Sequence, residues 1–469
     1  MMPNMHPSPS PVSPDMNRQP GSAPRKQLPL LIIAALLLTP LGSLQAADSP
    51  SLAGSFPLGV YWPWERTEGL AKRNGLEKWA FVERCLDNLK AQGFDAVWAV
   101  NLGIPDLPGL AQRMTARGMK LVPALAELHY NVDWRRNNWT YLEKESKHAL
   151  EAAGGSPAIL AWALCDEPRQ ELVGEMETFR RKFIEWGAKQ PAVVVTMWPD
   201  SPVYAEQAGF GAVCTDVYPF FSAGNPNGPN MPAGSRSWYR RHAQIAAQAA
   251  RKAGRTPWIM PQCFVEIWGP WKYDEHLDAV MLPGAILHWR QPSVGEARWQ
   301  VWSAVGAGVR GFFWYVYLPP PADQPEAMPY VGPAFPPALA VKEATSVHAP
   351  GGLLRPDGAV TPECLAVAEA FAALKPLLPV LKGAVPADPP FGEVSPPGWI
   401  GGLANPGLKR TFAAVVNDDT DYEQTLKVRL LRSHDVRDLR TGQVLKRAAD
   451  NTVAVKLGPG DGTLLEEIP

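Results

Sequence analysis

Neither sign of charge is in surplus in this chain: 45 Lys and Arg stand against 46 Asp and Glu, a formal net charge of −1. Without a basic field to gather phosphates, nucleic acid is not expected as a partner. Cysteine is scarce as well. Cys85, Cys165, Cys214, Cys263 and Cys364 are odd in number and widely spaced, with no C-x-x-C and no His/Cys cluster at metal-ligand spacing. A disulfide framework and a structural zinc are therefore excluded from the reading, and no metal or cofactor is expected. Three of the five fall within predicted inner strands, where Cys packs as a small hydrophobe. No Gly-rich phosphate loop follows an early apolar run, which argues against a doubly wound nucleotide-binding sheet.

Near the N-terminus an apolar run, Leu28 to Leu38, follows Arg25-Lys26 and precedes the small residues Ala46-Ala47. A positive stretch, a short apolar run and a small-residue site make an export signal, and the run ends too soon for a stable membrane span. Residues 1–47 are thus read as an N-terminal extension and signal peptide, with Met16 as a second possible start. The chain is expected to be exported, periplasmic or extracellular, and to keep no stable span after cleavage. An uncleaved anchor is the alternative.

What the chain has in quantity is apolar and aromatic surface. Hydrophobic residues make up 46% of its 469 positions, with 18 Trp and 11 Tyr. A barrel of ~250 residues plus a smaller partner would fill that length. Most of the Trp are expected to be structural. Trp62, Trp64, Trp98, Trp198, Trp268 and Trp314, at predicted strand ends, are the ones to weigh as a platform for sugar rings.

From about Pro57, eight short apolar runs alternate with amphipathic stretches: Leu58–Trp62, Ala96–Val100, Leu121–Leu125, Ile159–Leu164, Val193–Met197, Val213–Val217, Trp258–Gln262 and Gly311–Tyr315. Between them, Leu172, Met176, Phe179, Phe183 and Trp186 recur at helical spacing, and Leu76–Leu89, Tyr141–Ala152, Trp238–Ala253 and Ala297–Val305 read the same way. Strands buried on both faces, each followed by a helix, predict an α/β fold, a (β/α)₈ TIM barrel, over residues 55–383. Its eighth helix is expected at Cys364–Leu374, reached through a Pro-rich stretch from Leu318 to Pro337. Beyond Pro386 the pattern changes to short β-rich runs at Phe412–Val416, Thr425–Leu431, Val444–Leu445 and Val453–Leu457. They predict a small C-terminal β-sandwich over 388–469.

The fourth run, ILAWALC, leads straight into Asp166-Glu167-Pro168. Acidic residues that close an apolar strand are costly unless they face a solvated cavity, and in this fold active sites lie at the C-terminal strand ends. The competing reading makes Asp166 a helix cap and Glu167 a first-turn decoration.

On these residues the sequence resembles the clan A glycoside hydrolases, with the β-galactosidase-like members nearest. Those (β/α)₈ enzymes carry a general acid/base Glu at the end of strand four, usually in an Asn-Glu-Pro-like motif. The resemblance also rests on TPWIMPQCFVE, RQPSVGEARWQVWSAVGAGVRGFFWY, DVYPF and DLRTGQVL, and runs diffusely over Pro57–Pro469. It implies Glu167 as the acid/base and Glu266 as the nucleophile, cleaving a glycosidic bond of an oligo- or polysaccharide by a retaining mechanism. Asp166 takes the place of the Asn that contacts the sugar 2-hydroxyl. A carboxylate there accepts hydrogen bonds but does not donate as an amide does.

Gln262 or Asp216 could hold the second position instead, and an amide could not act as nucleophile. Retention would require the two carboxyls to lie ~5–5.5 Å apart. Further substrate contacts are expected from Tyr61 and Trp62 after strand one, Asn101 after strand two, and Glu127 and His129 after strand three. Trp198, Asp216, Tyr218, Gln262, Trp268 and Trp314 complete the rim set. Two rival readings are a non-catalytic carbohydrate-binding barrel and a cell-envelope scaffold protein.

Overall fold

Eight parallel strands close into a barrel, each where an apolar run predicts one: Leu58–Pro63, Ala96–Leu102, Lys120–Leu125, Trp162–Asp166, Ala192–Met197, Ala212–Asp216, Thr256–Met260 and Phe312–Trp314. The computed structural model describes residues 52, 54–130, 132–222, 231–283, 285–321 and 347–468. The expected export segment, 1–47, and most of the Pro-rich stretch lie outside them.

Alternation along the strands sorts side chains into two cores. Leu58, Val60 and Trp62 of strand one face the helices, while Tyr61 joins an inner cluster with Trp98, Val122, Ala163, Val195, Cys214, Trp258 and Phe313. Trp98, Trp258 and Phe313 pack with ring centroids 5.2 to 6.4 Å apart and plug the barrel. Small neighbours leave them room: a Cβ on Gly59 would lie 2.8 Å from the Phe313 ring. The interior around these rings is thus a filled core.

Between the strands run helices that include Lys78–Ala91, Trp139–Ala153, Val173–Glu185 and Val294–Gly306. The last begins with a capping box, Ser293 and Glu296 satisfying each other's backbone N–H. Pro362–Leu374 is the eighth barrel helix. The stretch Pro362–Leu381 is long and apolar enough to cross a membrane by composition, but Val367, Phe371 and Leu374 are buried in the barrel's outer core.

After the barrel come two antiparallel sheets. Val385–Pro386, Gly398–Asn405, Arg410–Asn417, Gly462–Ile468, Asp435–Asp438 and Val444–Leu445 form one, and Gly392–Val394, Gln424–Leu430 and Thr452–Leu457 the other. Their facing sides bury Leu426, Val428, Val455 and Leu465. The other side of the larger sheet packs on the barrel, because Phe412, Ala414, Val416 and Leu464 share one core with Trp299 and Trp302. Asp418 joins the two parts, accepting from Arg240 Nη1 at 3.0 Å and from the Trp299 indole at 2.9 Å.

The strand Gly398–Asn405 falls in a stretch whose Pro and Gly content reads as irregular. Its glycines answer to packing. A Cβ on Gly401 would lie 2.5 Å from the Gly306 carbonyl, and one on Gly402 would lie 2.1 Å from that of Ala387. Close backbone approach requires Gly within this strand.

Candidate active site

At the C-terminal mouth of the barrel, strand four does not end regularly. Ala163 pairs with Val193, yet Asp166 pairs with Val195, so three steps on one strand match two on the other. This bulge turns Asp166 toward the barrel axis. The Glu167 N–H then donates to the Val195 carbonyl at 3.1 Å, and its backbone adopts φ +45. A left-handed non-glycine residue is strained, and such strain collects where a side chain must be aimed.

Three other strands contribute to the same place. The Tyr61 hydroxyl, from strand one, donates to Asp166 Oδ2 at 3.0 Å. Asp216, closing strand six, is 5% exposed, its Oδ1 is buried without a hydrogen-bond partner among the described residues, and it is in electrostatic contact with Glu167. Tyr315 follows strand eight and packs on Tyr61 at 5.1 Å. It also joins Tyr218, Phe264 and Trp289 in an aromatic wall, ring centroids 4.9 to 5.7 Å apart.

Glu266 reaches the mouth by a detour. Barrel strand seven ends at Met260, and Glu266 opens a short strand, Glu266–Trp268, paired antiparallel with Ile286–Trp289. The indole N–H of Trp268 donates to Glu266 Oε1 at 2.6 Å. His288 Nε2 lies 4.0 Å from the same oxygen. Burial drives the His288 pKa down to about 4, so the imidazole is neutral above that pH and the contact is not an ion pair.

Crowding of carboxyls raises their proton affinity. Burial, followed by the Glu167 charge, pushes Asp166 up to about 7 against the lowering effect of the Tyr61 bond. Asp216 is held well above the usual carboxylate range by burial, by the charge of Glu167 and by that of Asp166. Glu266 is pushed up to about 8, chiefly by burial and further by Glu167, while the Trp268 bond pulls it down. Glu167 is thus in electrostatic contact with all three. A cluster of carboxyls that hold protons at neutral pH is equipped for proton transfer. Glu167 also lines a hollow of about 360 Å³ with Arg136, Arg169, Glu171 and Leu172.

The remaining predicted residues are placed as follows. Asn101 is at the rim, exposed, with its amide on Glu65 Oε2 at 3.3 Å. Glu127 accepts from the Ile104 N–H at 3.1 Å and so braces the loop after strand two. His129 is half-buried, its pKa lowered by burial and by Arg135. Trp198 packs on Trp238 and His242 of the helix Met231–Lys252, at 5.5 and 4.0 Å.

The placements of Trp62, Trp314 and Gln262 correct the expectation of substrate contact. Trp62 and Trp314 are fully buried among the helices, because strand parity points them outward. Gln262 is fully buried too. Its side chain bonds the Phe220 N–H at 2.9 Å and the Arg290 carbonyl at 2.9 Å, tying two loops together. Trp268 acts on Glu266 and stacks on His288 at 4.0 Å.

Arg136, Arg169, His288 and Trp289 also stand at the site and are not among the residues the sequence singles out. Arg169 stands two positions beyond Glu167, and that adjacency was a usable signal. The others reach the mouth through loop and hairpin folding that leaves no local mark. Among the described residues, no group of three or more His, Cys, Asp or Glu is arranged to hold a metal ion.

No family model and no curated protein matches the chain. Solved structures similar to it include β-glucuronidase from Ruminococcus gnavus in complex with D-glucuronic acid, at 11% identity and a TM-score of 0.45, covering 68% of this chain and 49% of that one. The apo form of that enzyme gives 11% and 0.45, covering 68% and 50%. The chain spans about half the length of these proteins. At such TM-scores the likeness adds nothing to the barrel already traced through its own strands.

Proposed function

We propose that this chain hydrolyses a glycosidic bond, with Glu167 and Glu266 as the reacting carboxyls. The observation that carries the reading is the electrostatic contact of these two groups at the open end of a closed barrel, one on a hollow and the other raised to about 8. Glu167 protonates the departing oxygen while ionised Glu266 attacks the anomeric carbon. Water, deprotonated by Glu167, then releases the sugar.

Such a pair needs one proton and one charge. Glu266 near 8 keeps at least one proton on the pair at neutral pH. The Trp268 N–H favours the ionised form of Glu266, the form that attacks. Tyr61, Tyr218, Tyr315 and Trp289 supply an aromatic wall of the kind sugar faces pack on.

The test is turnover of a panel of aryl glycosides and polysaccharides by the wild-type chain and by Glu167→Gln and Glu266→Gln. Losses of about 10²–10⁴-fold in both variants with folding intact are expected. Near-normal turnover by Glu167→Gln removes it from the reaction. The non-catalytic carbohydrate-binding reading retains one supporting observation: Gln262, just past barrel strand seven, is an amide and is spent on Phe220 and Arg290. Binding of a glycan with no turnover of any substrate would favour it.

A further inference from the structure

Two arginines share the hollow with Glu167, and among the described residues neither is held by a carboxylate closer than 3.8 Å. Arg136 comes from the loop after barrel strand three, and Arg169 from the loop after strand four. Arg136 meets the carboxylate of Asp133 at 3.8 Å, but that side chain is 95% exposed and solvent screens the pair. The Nε of Arg136 is buried without a hydrogen-bond partner. Arg169 accepts the Tyr204 hydroxyl on its backbone carbonyl at 2.9 Å. Among the described residues its guanidinium forms no ion pair with Glu167 or Glu171. Glu171 acts on Asp200 instead, raising it, while Arg169 lowers it from beyond ion-pair range.

The buried Nε of Arg136 has lost water without gaining an acceptor, while the rest of that side chain, 36% exposed, and the exposed Arg169 stay open to a ligand. The planar guanidinium fork matches two oxygens of a carboxylate or sulfate. We propose that the glycan taken by this site bears an anionic group, a uronic carboxylate or a sulfate ester, gripped by Arg136 and Arg169 beside the bond that Glu167 addresses. The inference rests on the glycosidase reading above.

Glu167 and Glu171 offset the two cations, so the wall has no net positive field. Recognition then comes from the donor forks at short range, in keeping with a chain of net charge −1. Trp134, two positions before Arg136 and 56% exposed, is held edge-on by Tyr141 at 4.8 Å. The Arg135 guanidinium lies 5.0 Å from its ring centroid.

The experiment is calorimetric binding at about 150 mM salt, where long-range attraction is screened. It uses Glu167→Gln, which binds without turnover, and oligosaccharides bearing uronic acids or sulfates. Each is paired with its carboxyl-reduced or desulfated form. At least one acidic member is expected to bind about tenfold or more tightly than its neutral partner. Whether the carboxyl or the sulfate pair shows the difference identifies the anion. Adding Arg136→Met and Arg169→Met should erase that preference at unchanged Tm. Arg136→Gln and Arg169→Gln, made singly, serve if the double change unfolds the chain, and each should weaken it.

Absence of binding by every acidic member, equal binding by neutral partners, or a preference that survives both arginine changes overturns the proposal. An arginine-dependent acid preference in a chain that turns over no glycoside supports it and removes only the hydrolase reading. Turnover of neutral glycosides untouched by the arginine changes does the reverse.

Discussion

Trp268 donates its indole N–H to Glu266 Oε1 at 2.6 Å while its ring lies on His288, 4.0 Å away and tilted by 21°. The stack holds the indole in one orientation, and the bond stabilises the ionised carboxylate. Trp268→Phe keeps the stack and deletes the donor. A hydrogen bond to a charged group is worth about 1.5–3 kcal/mol, so the Glu266 pKa should climb from about 8 by about one to two units. If ionised Glu266 is the nucleophile, the acid limb of the pH–rate profile moves up with it. Carboxyl ¹³C NMR titration reads the same shift without substrate, and an unchanged Glu266 titration would disprove the role given to Trp268.

The raised carboxyls carry a cost in stability that depends on pH. Glu266 near 8 and Asp166 near 7 hold protons in the folded chain at pH values where the unfolded chain has released them. The contribution of these two groups to stability should therefore fall as pH rises from about 4 through 8 and level off above that. His288 contributes in the opposite sense, because its pKa lowered to about 4 favours folding as pH rises to the ordinary imidazole range. Glu266→Gln removes one contributor. Its Tm should match wild type at pH 4 and exceed it at pH 8. Equal differences at both pH values would show that the side chain acts through packing alone.

The barrel was legible because strands buried on both faces must be continuously apolar, and each of the eight runs shows that property. The direction of individual side chains was harder to read. A shift of one residue in parity exchanges inside and outside, which is how Trp62 and Trp314 were expected at the rim although they face the helices. The same parity carries Tyr61 to Asp166. In strand four the bulge resets the alternation just before Asp166, and nothing in ILAWALC marks it. Glu266 was picked out in the sequence as an acid beyond a strand end. Its return to the mouth depends on pairing between Glu266–Trp268 and Ile286–Trp289, a contact that local propensity does not encode. The two arginines of the hollow lie on loops, where position follows from the scaffold rather than from a repeating pattern.

Asp216 gives a third prediction. Burial and the Glu167 charge raise the proton affinity of its carboxyl, and it is expected to act in the neutral form, which resembles an amide in shape and donor capacity. Asp216→Asn should therefore leave folding and turnover at pH 7 within a few-fold of wild type. Asp216→Ala, which opens a gap beside Glu167 and removes the neighbouring carboxyl, should lose more than tenfold in turnover. If both substitutions are equally damaging, Asp216 works as an ionised carboxylate.

The joint between barrel and sandwich can be tested on Asp418 and Arg240. Arg240 is 7% exposed, and Asp418 supplies its acid partner while also receiving the Trp299 indole. Asp418→Ala would leave a buried guanidinium without a counter-charge, a loss expected at about 3–5 kcal/mol. Trp299 and Trp302 share their core with Phe412 and Leu464, so the two parts should lose stability together. Urea unfolding followed by tryptophan fluorescence and by far-UV circular dichroism should give one transition, moved to lower urea in the variant. Two separated transitions, with only the later part of the chain affected, would mean that the sheets fold on their own and that the shared core contributes little to the barrel.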